Sequence, residues 1–238
     1  MGKSKASSDA AEWRRRLTVT PDEIRANLAA VNARIDAACT KAGRKREDVT
    51  LVAVSKTFPA EAVTNAIAAG ATHVGENKVQ EARDKKPLVD GNARWHLIGH
   101  LQSNKAKDAV RIFDVIETVD SVELAEKIAR AAIAAGKRQE ILLQVNIGRE
   151  EQKSGADPDD VPSLATEIAA IDGVNLRGLM AIPPFDGDVR RHFRALRELQ
   201  QRIGVSEVSM GMSEDFEIAI EEGSTIVRVG RAIFGARG

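Results

Sequence analysis

The sequence has no tyrosine, a single cysteine, and only 3% aromatic residues in its 238 positions. One cysteine, Cys39, excludes an intramolecular disulfide. Basic and acidic side chains balance at 35 each, so the overall cationic excess that nucleic-acid binding usually needs is missing. The tight basic run Arg14-Arg15-Arg16 lies in a polar N-terminal stretch and reads as a solvated segment. No apolar run approaches the length of a membrane span. Met1 to Asp9 lacks the apolar core of a secretory signal. Cytoplasmic localisation is the expectation. Walker A, GxGxxG, EF-hand and CxxC patterns are all missing. His96 and His100 stand four apart without HExxH context or a third ligand, so a zinc site is not expected. His73 and His192 read as isolated side chains in ordinary structural or surface roles.

What is present suits a barrel. The length is near the roughly 250 residues typical of a (β/α)₈ fold, and such a chain buries enough apolar surface to fold without disulfides or metals. From residue 50 onward, short β-branched runs alternate with helical stretches. The runs are Leu51 to Val54, Thr72 to Val74, Trp95 to Ile98, Phe113 to Val119, Ile141 to Ile147, Val174 to Leu179, Glu207 to Ser209 and Ile226 to Val229. Runs of this kind, apolar on both faces, suit parallel strands. The expected fold class is α/β, a single (β/α)₈ TIM barrel, with a doubly wound open sheet as the competing topology. No Pro/Gly/Ser-rich linker divides it. The expected organisation is a leader over 1–20 and one barrel over 21–238.

Helix punctuation supports the alternation. Thr20-Pro21-Asp22-Glu23 has the form of a capped start, followed by Ile24, Leu28, Val31, Ile35 and Cys39 at helical spacing and closed by Gly43. Cys39 on that stripe reads as a small buried hydrophobe. Asp120-Ser121-Val122-Glu123 reads as a capping box, with Gly136 ending its helix. Asp157-Pro158 reads as the opening of another helix.

Chemistry in such a barrel sits at the C-terminal ends of the strands. The unusual polar and glycine-bearing segments collect there: Ser55-Lys56, Gly75-Glu76-Asn77, Gly99 to Asn104, Asn146, Met180 to Pro183, Ser209 to Ser213, and Arg228 to Arg231. A strand-end lysine is commonly just solvated. At a barrel mouth, however, desolvation or neighbouring cations can lower its pKa, and the neutral amine can then attack an aldehyde. Ser213 precedes Glu214-Asp215 and an apolar stripe of Phe216, Ala219 and Ile220, which reads either as an ordinary Ser cap or as a phosphate site at a helix start. Gly230-Arg231 adds a second turn whose amides could approach an anion closely.

The ordered segments Val52 to Thr57, Gly75 to Glu81, Trp95 to Lys105, Lys153-Ser154-Gly155, Arg177 to Pro183, Ser209 to Ser213 and Val227 to Gly230, continuing to Ile233 to Arg237, carry a resemblance. The chain resembles the YggS/PROSC family, the pyridoxal phosphate homeostasis proteins, which share the barrel of alanine racemase's N-terminal domain. The resemblance implies pyridoxal 5′-phosphate (PLP) held as a Schiff base on Lys56. It also implies Arg228 at the pyridine nitrogen, phosphate contacts from Ser213, Gly230 and the Arg231 amide, and Asn77 beside the ring. Lys78 stands where many relatives have another residue, often Tyr, and is assigned no role; none is assigned to Lys153.

The family's implied work is PLP buffering and delivery in vitamin B6 homeostasis, with no established turnover and with PLP-dependent apoenzymes as candidate recipients. A weak PLP-dependent racemase or lyase is the alternative, and a barrel that has lost its cofactor a further one. Alanine racemase uses a lysine and a partner tyrosine on opposite cofactor faces, and this chain has no tyrosine. The second domain that makes racemase dimers is likewise missing from the pattern, so a monomer is expected.

Overall fold

A computed structural model describes residues 19–184 and 187–235. The eight strands are β1 Thr50–Val54, β2 His73–Glu76, β3 Arg94–Leu97, β4 Val115–Val119, β5 Gln139–Gln144, β6 Val174–Met180, β7 Glu207–Ser209 and β8 Ile226–Val229. They form a closed parallel barrel in chain order. β8 returns to β1 with Val52 opposite Arg228, and this pairing closes the ring and rules out the open sheet. Strand boundaries agree with the sequence pattern to within about three residues at most ends.

The helices of the outer ring are α1 Pro21–Lys41, α2 Ala60–Ala68, α3 Val79–Lys85, α4 Ala106–Ile112, α5 Val122–Ala134, α6 Val161–Ala169, α7 Val189–Ile203, α8 Phe216–Glu221 and α9 Arg231–Phe234. α1 starts as its sequence predicts. The Thr20 hydroxyl accepts from Glu23 N–H at 3.2 Å, and the Glu23 carboxylate accepts from Thr20 N–H at 2.8 Å. Ile24, Leu28, Val31, Ile35 and Cys39 are all buried. Gly43 takes the left-handed conformation just past the end, at φ 64°.

Three helix starts differ from expectation. At α5 the cap is Ser121, which accepts from Leu124 N–H at 3.3 Å, while Glu123 pairs with Lys127 at 2.6 Å; the reciprocal box does not form. α6 begins at Val161, with Pro162 in its first turn, and Asp157-Pro158 belongs to the preceding turn. α8 begins at Phe216 with Asp215 as its cap residue, so Ser213 lies in the turn before the helix and is not its cap. The expected leader lies, up to residue 18, outside the described residues.

Two apolar layers account for most burial. One fills the space between strands and helices. The other, Val52, Val115, Leu142, Met180 and Ile226, lies inside the barrel. Two residues further along β4 and β8, toward the C-terminal mouth, Glu117 and Arg228 take the place of such apolar side chains, and both are buried. A charged pair in a lumen normally packed with branched aliphatics marks this level as the floor of a site.

Candidate functional site

At the C-terminal mouth lies a cavity of about 640 Å³. All six residues singled out in the sequence, Lys56, Asn77, Ser213, Arg228, Gly230 and Arg231, line it. Lys56 follows β1 by two residues and donates to Asn77 Oδ1 at 3.4 Å. Arg228 reaches the same cavity from β8, the strand paired with β1. The Arg231 side chain turns to the rim, where it pairs with Glu214 at 2.9 Å. Its backbone thus remains the part suited to anion contact. Gly230 allows a close approach: a Cβ there would meet the Val54 oxygen at 3.1 Å, which brings the exit of β8 against the end of β1.

The Lys56 turn rests on a buried ionic cluster. Lys85 Nζ donates to Glu76 at 2.6 Å, to Glu81 at 3.0 Å and to the Ser55 carbonyl at 2.9 Å. Ser55 Oγ donates to Glu76 at 2.6 Å. Burial pushes the Glu76 carboxyl above its ordinary value, against the opposing pull of Lys85 and Ser55. Thr57 holds φ 71°, uncommon for a β-branched residue, and its N–H donates to Glu81 at 2.5 Å. The turn carrying Lys56 is therefore over-determined by its surroundings.

A second network crosses the lumen. Arg228 Nη1 donates to Ser209 Oγ at 2.6 Å and Nη2 to the Ala181 carbonyl at 2.9 Å. Ser209 Oγ donates to Glu117 Oε2 at 2.6 Å, joining strands that are not neighbours in the sheet. Glu117 Oε1 lies 2.6 Å from His96 Nδ1. His96 Nε2 lies 2.9 Å from His73 Nδ1, so His73 is not the isolated side chain its sequence context suggests. Burial alone would raise the Glu117 carboxyl, but the hydrogen bond and electrostatic pull of His96, then the charge of Arg228 and the hydrogen bond from Ser209, hold it below the ordinary value.

Neither Lys85 nor Glu117 was identified from the sequence as a site residue. Glu117 carried a usable signal, a carboxylate in the middle of the β-branched run Val115-Ile116-Glu117-Thr118-Val119.

The donor set fits an anionic aromatic aldehyde. It supplies a primary amine, a buried planar guanidinium with donors beyond its two protein acceptors, and backbone amides at the turns after β7 and β8. The family pattern described as "Alanine racemase, N-terminal domain" matches residues 26–238. The pyridoxal phosphate homeostasis protein of Pseudomonas aeruginosa is 44% identical over 220 residues, covering 90% of this chain and 96% of that protein. Its namesake in Escherichia coli K12 is 40% identical over 228 residues, covering 91% and 97%. Among solved structures, PipY of Synechococcus elongatus with PLP bound superposes at TM-score 0.77 with 38% identity, covering 89% of this chain and all (100%) of that one. Alanine racemase of Clostridium difficile, at TM-score 0.70 and 16% identity over 56% of its length, shares the fold alone.

Proposed function

Because this chain belongs to the pyridoxal phosphate homeostasis proteins, within the alanine racemase N-terminal domain family, we propose that its cavity holds PLP and that it buffers and delivers the cofactor inside the cell. The observation that carries this reading is the convergence of Lys56 and Arg228, from paired strands, on one cavity. When bound, the cofactor would supply an electrophilic aldehyde, and Lys56 would be the amine that holds it as a Schiff base. Arg228 would hold the ring nitrogen, and Asn77, which accepts from Lys56 Nζ, would orient the amine. Ser213, Gly230 and the Arg231 amide, which line the same cavity, would hold the phosphate.

Two features favour carriage over turnover. The chain has no tyrosine to serve as a second base of the racemase kind. A guanidinium stays protonated and only donates, so Arg228 keeps the ring nitrogen unprotonated and limits the electron withdrawal that amino-acid chemistry needs. The protein acts as a monomer that passes PLP to apoenzymes.

The test is chemical. Protein purified without added cofactor is incubated with PLP, its visible spectrum recorded, and the complex reduced with borohydride and mapped by mass spectrometry. A pyridoxyl adduct on Lys56, lost in Lys56→Ala with an unchanged melting curve, is the expected result. A protein that takes up no PLP overturns the reading. Loss of deuterium from an α-deuterated amino acid faster than with free PLP would shift the function to a racemase or lyase.

A further inference from the structure

Four side chains in the lumen are nearly or wholly buried, yet polar: Glu117 and Ser209 at 0% exposure, His96 at 2% and Arg228 at 3%. They form one file from the cavity floor toward the opposite mouth. There His73, half-buried, lines a small cavity of about 170 Å³ between α1 and the strand starts. Hydrogen-bond chemistry fixes the direction of the protons at the carboxylate. An ionised carboxylate only accepts, so Ser209 directs its hydroxyl proton at Glu117 and His96 carries its proton on Nδ1. His96 Nε2 and His73 Nδ1 lie 2.9 Å apart and share one proton between them. Two donors, Ser209 and His96, thus converge on Glu117.

A buried carboxylate is costly unless its charge is compensated. Here the compensating charge is Arg228, 3.9 Å away and bridged by Ser209. The other carboxylate within electrostatic reach of the guanidinium is Asp215, in the turn before α8. A guanidinium is planar, so two fixed acceptors, Ser209 Oγ and the Ala181 carbonyl, define the plane in which its other N–H groups lie. We propose that Ser209 and Glu117 are positioning residues that set the plane of Arg228, with His96 and His73 bracing the carboxylate from the far side. The grip on the cofactor ring is then set from within the barrel. This inference rests on the ring-nitrogen role given to Arg228 above.

The test is a double-mutant cycle on PLP affinity, read by tryptophan fluorescence titration, alongside the visible absorption maximum of the loaded protein. Ser209→Ala removes the bridge, and Arg228→Lys keeps the charge but has no plane to set. Made alone, Ser209→Ala is expected to weaken PLP binding about 10-fold, the worth of one charge-assisted hydrogen bond. Added to Arg228→Lys, it should weaken binding no further, because the two residues act through one contact. The absorption maximum should shift in both single variants.

Equal losses from Ser209→Ala in both backgrounds, or no loss when it is made alone, overturn the positioning role and nothing else. An Arg228→Lys protein that binds and absorbs like the wild type overturns the ring-nitrogen reading, and this inference with it. Should Ser209→Ala fail to fold, the near-isosteric Glu117→Gln replaces it in the same cycle, and the same two outcomes decide.

Discussion

Gly99 has no room for a side chain, since a Cβ there would lie 2.2 Å from the Asn77 carbonyl oxygen. Its backbone angle is ordinary, so the constraint is steric and reaches straight to a residue that touches Lys56. Gly99→Ala should cost about 1–3 kcal/mol through overpacking and weaken PLP retention as Asn77 moves. Denaturant unfolding and PLP titration of one preparation check both. Lys85→Met should cost more, on the order of 3–5 kcal/mol, because Glu76 would remain buried without its cation. A variant as stable as wild type in urea would show that Glu76 is protonated and needs no partner. Legibility at this scale was uneven. Lys56 and Arg228 lay among the polar strand ends that a barrel gathers at one mouth, and the family resemblance supplied their roles. Lys85 and Glu117 did not stand out, because Lys85 meets Glu76 and the Ser55 carbonyl beyond its own helix and Glu117 meets His96, Ser209 and Arg228 on other strands, pairings that spacing along the chain does not reveal.

Among elements, α1 joins the ring by packing on α2, α8 and α9, and covers the seam where β8 meets β1. Its start depends on one reciprocal cap, so Thr20→Ala should lower stability by about 1 kcal/mol, detectable as a shift in the urea midpoint with an unchanged slope. Where the sequence misplaced a helix start, local turn chemistry had the stronger claim. At Asp157, the carboxylate accepts from Asp159 N–H at 2.9 Å and pairs with Arg149 at 2.7 Å, which holds the segment as a turn until Val161. At Asp120-Ser121 either residue could cap, and the register that buries Leu124 and Ala125 selects Ser121. Strands suffered less. A buried parallel strand must be apolar on both faces, and that demand is written in the run itself.

The closed barrel as a whole depends on the protonation states of its interior, and acid should expose this. Burial, followed by the neighbouring His96 and Arg94, lowers the His73 pKa from 6.5 to about 4. The unfolded chain therefore binds a proton that the folded chain refuses between those values, so stability is full above pH 6.5 and falls as pH drops toward 4. The loss from this one ring is on the order of 1–3 kcal/mol once its half-buried position is allowed for. Glu117, held below its ordinary value, adds a loss at still lower pH, whereas Glu76 and Asp215, raised by burial, work in the opposite sense. Total acid sensitivity mixes these contributions, and a difference separates them. His73→Asn places an amide donor near the position of Nδ1 but cannot titrate. Urea unfolding at about pH 7 and about pH 4.5, on either side of the ordinary histidine range, should show a larger drop in wild type than in His73→Asn. Equal drops would mean that burial does not lower the His73 pKa in the folded barrel.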